Sequence, residues 1–535
     1  MSFADLVLQN GPIITMDDSE RVCDAVAVKD GVIIAVGSKF HVKRLIGPMT
    51  EVIDLDGRAV TPGLVNSHDH MLEHGISSYF VVNIRHPVAK SIEDMLEIIG
   101  ERVKKVEPGK WVKAQNWDEA LLEENRYPNR HDLDKVSPDN PVWARRVFQM
   151  CTVNSKALEI AGITKDTVDP EHGWIQRDEN GEPTGVLRGR ALALIDKVIP
   201  EYDEDEIELA IVQGCTDFNE VGFTTVIEPG LMENWINSYK SVHAKNKLKI
   251  RMFIQVGFLQ TPEQVQWAID NYTVGGTNDF RIIGLKMAMD GGVGPRTALF
   301  YEKYQDRPAD ELGVQLVEPE VLNEMVTMGH KAGFQVAIHA IGDKGIDLTL
   351  DAYEAAIKSQ FRPDARHQIV HDFFPTPEAN QRIVDLDMVI QTQTPFLYLL
   401  GDSFIEARGA EACEDCMPVK TWQSMGIAVG TSHDATVSLP LPHLGIYGPV
   451  ARKTVKGQSL GDKEAITAYD ALKLYTTDAA KHCFMEDKIG SIENGKLADL
   501  AVWNFNPLEV ETEKLLDWRC QMTFLEGEKI YESVG

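Results

Sequence analysis

The sequence predicts an α/β protein: a (β/α)8, TIM-like barrel carrying a small β-sandwich domain built from both termini and a large insertion after barrel strand one. Three observations carry this prediction. Eight apolar strand-like runs alternate with helical stretches, two β-rich ends bracket them, and a gap of roughly 150 residues separates the first run from the second.

Residues 1–60 read as short strands, because "DLVLQNGPIITMD", "AVAVKDGVIIAVGS" and "EVIDLDGRAVTPG" alternate apolar and polar positions between turn residues. Residues 484–535, with "IGSIENGKLADLAVWNFNP", have the same texture. Neither end is long enough to build a core alone, so the two are expected to pair as one domain. The barrel is expected over 61–483, on the runs "RAVTPGLVNSH", "FTTVIEPG", "KIRMFIQVG", "FRIIGLKMAMDGG", "FQVAIHAIGD", "HQIVHDFF", "MVIQTQTPF" and "GIAVGTSHD". The insertion, at about 75–205, has helical patterns of its own and holds Trp111, Trp117, Trp143 and Trp174.

Charge narrows the partners. The 535 residues include 82 acidic and 53 basic side chains, a formal net charge of −29, with no basic run. Nucleic acid and anionic membrane are therefore poor partners. The start of the chain lacks a basic patch followed by an apolar core, and no long apolar run follows, so a cytoplasmic protein is expected. Seven scattered cysteines do not form a disulfide framework, and "CEDC" (Cys413 to Cys416) lacks the second pair a metal knuckle needs.

Polar residues recur at the ends of the predicted strands. "TPGLVNSHDH" places His68 and His70 two residues apart, so on a strand both point to one face. A lone His-x-His is weak evidence. Lys286 lies inside an apolar run, where a lysine is costly to bury unless paired or modified, and His339, His371 and Asp434 each end a run. Five strands thus deliver six ligand-type residues to the end of a barrel where active sites are built. His86, His131, His172, His243, His330 and His482 lack such placement, and alternation turns His433 away from Asp434, as a wall residue.

"PGLVNSHDH" resembles the strand-one metal motif of the amidohydrolase superfamily. The stretches "DGVIIAVGS", "LDKVSPDNPVWARR", "VNSKALEIAGIT", "GEPTGVLRGRA", "KMAMDGGVGPRTA", "IHAIGD", "IVHDF", "GTSHDA" and "IGSIENGKLADLAVW" are similar to its YtcJ-like branch, which includes N-substituted formamide deformylase. The resemblance implies that His68 and His70 bind one metal, that Lys286 carries a CO2-derived carbamate bridging two, that His339 and His371 bind the second, and that Asp434 completes the set. It also implies a homodimer. Neutral imidazoles and an anionic carbamate suit two divalent ions, Zn2+ first, with Mn, Fe or Co acceptable to the same donors.

This chemistry implies a hydrolase acting on carbon–nitrogen bonds other than peptide bonds. Its substrate is a small-molecule amide or N-substituted formamide, attacked by a metal-activated hydroxide while Asp434 shuttles the proton. A mononuclear deaminase, or a metal-assisted isomerase or lyase, on the same barrel stays open, as does a binding protein with a decayed site, against which six intact ligand positions argue. "MDGGVGPRTA" after the lysine strand brings Arg296 near the substrate or is simply a tight turn. Where relatives carry Asp-Gly-His this chain has "VFQM", and "AQNWD" replaces a glycine-rich segment. Phe148, Gln149 and Trp117 are therefore candidate substrate residues, although large side chains in an insertion more often form its own core.

Overall fold

The computed structural model describes residues 3–146, 150–308 and 310–534. The chain forms two compact units, Met1–Met71 with Cys215–Gly535, and Leu72–Gly214.

In the first unit, both ends of the chain share one sheet. Its order is Glu528–Glu532, Cys520–Leu525, Leu500–Trp503, Ala59–Pro62, Leu6–Ile14, Val22–Lys29 and Val32–Gly37, with Glu51–Asp54 also paired to Leu6–Ile14. The join is antiparallel, Leu500 opposite Pro62 and Trp503 opposite Ala59. Strand alternation separates the two faces: Leu6, Leu8, Val26 and Val28 pack with Val60, Val502 and Phe524, while Val7, Ala25, Ala27 and Ala35 pack on a second cluster with Val42.

The rest of this unit is a barrel of eight parallel strands, here numbered β1 (Leu64–Asn66), β2 (Phe223–Leu231), β3 (Arg251–Leu259), β4 (Phe280–Ala288), β5 (Gln335–Ala340), β6 (Gln368–His371), β7 (Val389–Thr392) and β8 (Val429–Thr431). Each neighbours the next in chain order, and the ring is drawn together where Ser67, just past β1, donates from its backbone N–H (3.3 Å) and its hydroxyl (2.9 Å) to the Thr431 carbonyl of β8. The first predicted run proves to serve two sheets. Ala59–Pro62 belongs to the terminal sheet and Leu64–Asn66 to the barrel, divided at Gly63, where a Cβ would sit 2.4 Å from the Thr224 hydroxyl.

The base of the barrel is fastened by Arg251, the first residue of β3. Its fully buried guanidinium bonds both oxygens of Asp499 (2.7 and 3.0 Å) and reaches Asp279 and Glu526. A buried fork of this kind needs carboxylate partners to offset its desolvation.

The second unit holds a six-stranded sheet, ordered Gly173–Arg177, Pro183–Gly189, Met150–Val153, Val142–Arg146, Val112–Trp117 and Val81–Asn83. Against it packs the helix Ile92–Val103, started by a capping box between Ser91 and Asp94 and burying Ile92, Met95, Leu96 and Ile99 at helical spacing. Among the described residues no helix is long and apolar enough to cross a membrane. All seven cysteines are free thiols, with Cys413 and Cys416 buried.

Candidate metal centre

Because all eight barrel strands run the same way, their C-terminal ends share one rim. His68 follows β1 by two residues, Lys286 lies two before the end of β4, His339 is the last residue but one of β5, His371 ends β6, and Asp434 follows β8 by three. The structure brings these together. His68 Nε2 and His70 Nε2 lie 3.6 and 3.4 Å from Asp434 Oδ1, and one potential ligand atom from each of the three falls within 4.8 Å of the others. The His371 ring is 5.7 Å from that of His68 and 4.2 Å from that of His339.

Lys286 is 1% exposed, and its Nζ has no hydrogen-bond partner among the described residues. Burial pulls the ammonium down to about 7, which leaves much of it as neutral amine at neutral pH. Burial, then the charge of Lys286, lowers His68 to about 3 and His339 to about 4, and burial with the neighbouring His339 holds His371 well below the usual imidazole range. Burial alone would raise the Asp434 carboxyl, but the His68 and His70 rings outweigh it and keep it well below its ordinary value. His68, His339 and His371 are therefore neutral imidazoles and Asp434 an ionised carboxylate, the protonation states that bind a divalent cation.

Proton placement on two rings follows from their partners. His339 Nε2 lies 3.1 Å from the Gly291 carbonyl, an acceptor only, so Nε2 carries the proton and Nδ1 is the bare nitrogen. His371 Nδ1 lies 2.6 Å from Gln393 Oε1. The unpartnered Lys286 Nζ, together with the equally buried and unpartnered His68 Nδ1, fits a site that takes up further ligands.

Several supporting residues escape sequence reasoning. Asp69, between the two histidines, accepts from the backbone N–H of His70 (3.1 Å), the Asn66 amide (2.6 Å) and the backbone N–H of Ala435, tying the His68–His70 segment to the residue after Asp434. Alternation could have flagged it, since a strand that aims two histidines one way aims the residue between them the other. Asp290 accepts from the backbone N–H groups of Leu299, Ile341 and Gly342, and so anchors the loop that carries the Gly291 carbonyl. Asp372 is fully buried with neither oxygen partnered among the described residues, and burial pushes it up to about 8. His433 stacks on Tyr475 and bonds its hydroxyl at 3.2 Å.

The substrate candidates fare differently. Trp117 is a core residue of the Leu72–Gly214 unit, wholly buried among Met95, Ile99, Leu133 and Ala144 with its indole N–H on the Ala144 carbonyl at 3.0 Å, which corrects the expectation that it lines a pocket. Arg296 is committed to its own loop, with three contacts of 2.8–3.0 Å to Asp306 and two to the carbonyls of Val293 and Gly294, so the tight-turn alternative describes it better. Phe148 and Gln149 lie outside the described residues.

A nearly closed parallel barrel with histidines, an aspartate and a buried lysine converging on its C-terminal rim defines the class of metal-dependent hydrolases. The model of the amidohydrolase family matches residues 51–531, and the chain belongs to that family. It is 30% identical to YtcJ of Bacillus subtilis (strain 168) over 538 residues, covering 98% of this chain and 99% of that protein. It is 27% identical to the N-substituted formamide deformylase of Arthrobacter pascens over 549 residues, covering 99% of each. Among solved structures, an uncharacterized metal-dependent hydrolase from Pyrococcus horikoshii OT3 superposes with a TM-score of 0.77 at 26% identity, over 95% of this chain and 99% of that one.

Proposed function

We propose that this protein is a metal-dependent amidohydrolase that cleaves the carbon–nitrogen bond of a small linear amide, with N-substituted formamides the first class to test. The observation that carries the reading is the convergence of His68, His70, His339, His371 and Asp434 on one rim around a buried Lys286 whose Nζ lacks a partner. The likeness to an N-substituted formamide deformylase along the whole chain supports the choice of substrate class.

His68 and His70 with Asp434 would hold one divalent ion, and His339 Nδ1 with His371 Nε2 a second. Lys286, as neutral amine, would add to CO2 through Nζ and lose a proton, and the resulting carbamate would supply an anionic ligand to the same centre. When bound, such ions polarise a carbonyl and make water acidic enough to serve as hydroxide near neutral pH. Asp434 accepts one proton as water adds to the acyl carbon, then returns it to the nitrogen as the carbon–nitrogen bond breaks, releasing an amine and a carboxylic acid that ionises to solvent.

The test is metal content by elemental mass spectrometry on protein prepared with divalent metals and bicarbonate, followed by turnover of N-substituted formamides, acyl amides and cyclic amides. Stoichiometric metal with release of an amine is the expected result. Protein that takes up no metal under those conditions, or hydrolyses no carbon–nitrogen substrate while metal-loaded, would refute the proposal.

A further inference from the structure

The rim carries more information than its ligand atoms, because one of its rings is oriented by a chain of buried amides. That chain starts from a group whose hydrogen-bonding sense is fixed. The Thr392 carbonyl can only accept, and the Gln391 side chain meets it at 2.9 Å, so the atom facing it must be Nε2. Gln391 Oε1 is thereby turned to Gln393, and at 3.0 Å it must receive Gln393 Nε2–H. The same Nε2 donates to the Ser432 hydroxyl at 3.1 Å, and Gln391 Nε2 reaches that hydroxyl at 2.8 Å. Gln393 Oε1 is then left facing His371 Nδ1 at 2.6 Å, and an amide oxygen accepts only. His371 must carry its proton on Nδ1, which leaves Nε2 bare.

The backbone around the ring is held just as firmly. His371 has φ +81°, a left-handed conformation costly for a residue with a Cβ. The Thr392 hydroxyl holds its carbonyl at 2.8 Å, and the next N–H, that of Asp372, bonds the Ala340 carbonyl at 3.0 Å. Three bonds from β5, β7 and the residue after β7 therefore set the position, turn and tautomer of one ligand. All of Gln391, Thr392, Gln393 and Ser432 are fully buried, so water does not compete for these bonds.

We infer that Gln393 is a positioning residue for the metal centre, acting through His371 by fixing its Nδ1–H tautomer and so presenting Nε2 as a ready ligand before any metal arrives. The inference rests on the metal-hydrolase reading of the rim. It departs from the usual arrangement in which a carboxylate or backbone carbonyl takes the second proton of a ligating histidine. A neutral amide does the work here, and its orientation depends on a second glutamine two residues earlier.

The test uses the full-length chain. In metal-free wild type with 15N-labelled histidine, and with the His371 signals assigned by their loss in His371→Asn, the expected tautomer is Nδ1–H; an Nε2–H tautomer overturns the inference without recourse to any glutamine variant. Zn2+ affinity is then measured by competition with a chromophoric chelator. Gln393→Leu should bind Zn2+ about 10–100-fold more weakly, whereas Gln393→Glu, which keeps an acceptor toward Nδ1, should stay within a few-fold of wild type. Should Gln393→Leu fail to fold, Gln391→Leu replaces it, since Gln393 is then free to turn its amide, and it should show mixed tautomers with weakened binding. Equal Zn2+ affinity in wild type and the leucine variant overturns the inference alone. Wild type that binds no Zn2+ overturns the metal reading and the inference with it.

Discussion

Arg251 and Lys286 are buried cations on neighbouring strands of one barrel, and the protein treats them in opposite ways. Arg251, at the start of β3, is surrounded by Asp499, Asp279 and Glu526, and its charge is fully answered. Lys286, near the end of β4, has no hydrogen-bond partner for its Nζ among the described residues. An unanswered buried ammonium is expensive, so the group is driven toward the neutral amine that can react with CO2. The base of the barrel spends its polar groups on stability, and the rim leaves some of them available for chemistry.

The sharpest way to break that contrast is at the rim. Asp434→Asn should keep the fold while lowering turnover of an accepted amide by about 10²–10⁴-fold, the usual contribution of a positioned acid–base group. Steady-state kinetics on the first substrate found would check it, and near wild-type rates would require another base.

At the base the effect should fall on stability instead. Arg251→Met strands the buried Asp499 without its partner and should cost about 3–5 kcal/mol in denaturant unfolding, with metal content per folded chain unchanged. The matching substitution at the rim, Lys286→Met, should behave in the opposite sense. Removing an unpartnered buried amine should leave stability equal or raise it by about 1 kcal/mol, while metal content falls with the loss of the proposed carbamate. If both variants were destabilised alike, Lys286 would be a structural cation and the contrast would fail.

The same division explains what could be read from the sequence. Strand-end residues recur at equivalent positions, so His68, His70, Lys286, His339, His371 and Asp434 could be picked out from their place in apolar runs. The eight barrel strands were legible for the same reason, and only the first run concealed a change of sheet at Gly63. Gln393 was not legible, because its part depends on which way two amides face, and that is set by a carbonyl and a hydroxyl on other residues. Trp117 stayed open between pocket and core because a large aromatic in an insertion looks alike whether it lines a pocket or fills a core. Arg296 stayed open between a substrate and a turn role because its partner, Asp306, lies ten residues further along the loop and nothing in "GVGPRTA" announces it.

A smaller effect tests the base through its protons. His367 Nδ1 accepts the Val336 N–H at 3.0 Å, so its proton lies on Nε2 and is given to His330 Nδ1 at 2.9 Å, and His330 Nε2 in turn donates to the Gln360 carbonyl at 2.7 Å. Every nitrogen is used once, and neither ring can take a further proton without breaking a bond. Burial accordingly lowers both, His367 well below the usual imidazole range. The sign follows. Below an ordinary pKa of about 6.5 the unfolded chain protonates His367 and the folded chain does not, so the unfolded state binds more protons and stability falls as pH falls. Above about 7 the contribution is flat. For His367 alone the loss between about pH 7.5 and pH 5.5 is about 1.4 kcal/mol. His367→Gln should be less stable than wild type at the higher pH yet lose about that much less on acidification, because every other titrating group is common to both chains. Denaturant unfolding of the two proteins at both pH values measures this difference of differences, and parallel losses would mean that the folded protein accommodates a protonated His367 and that its base is less fully paired than its rim suggests by contrast.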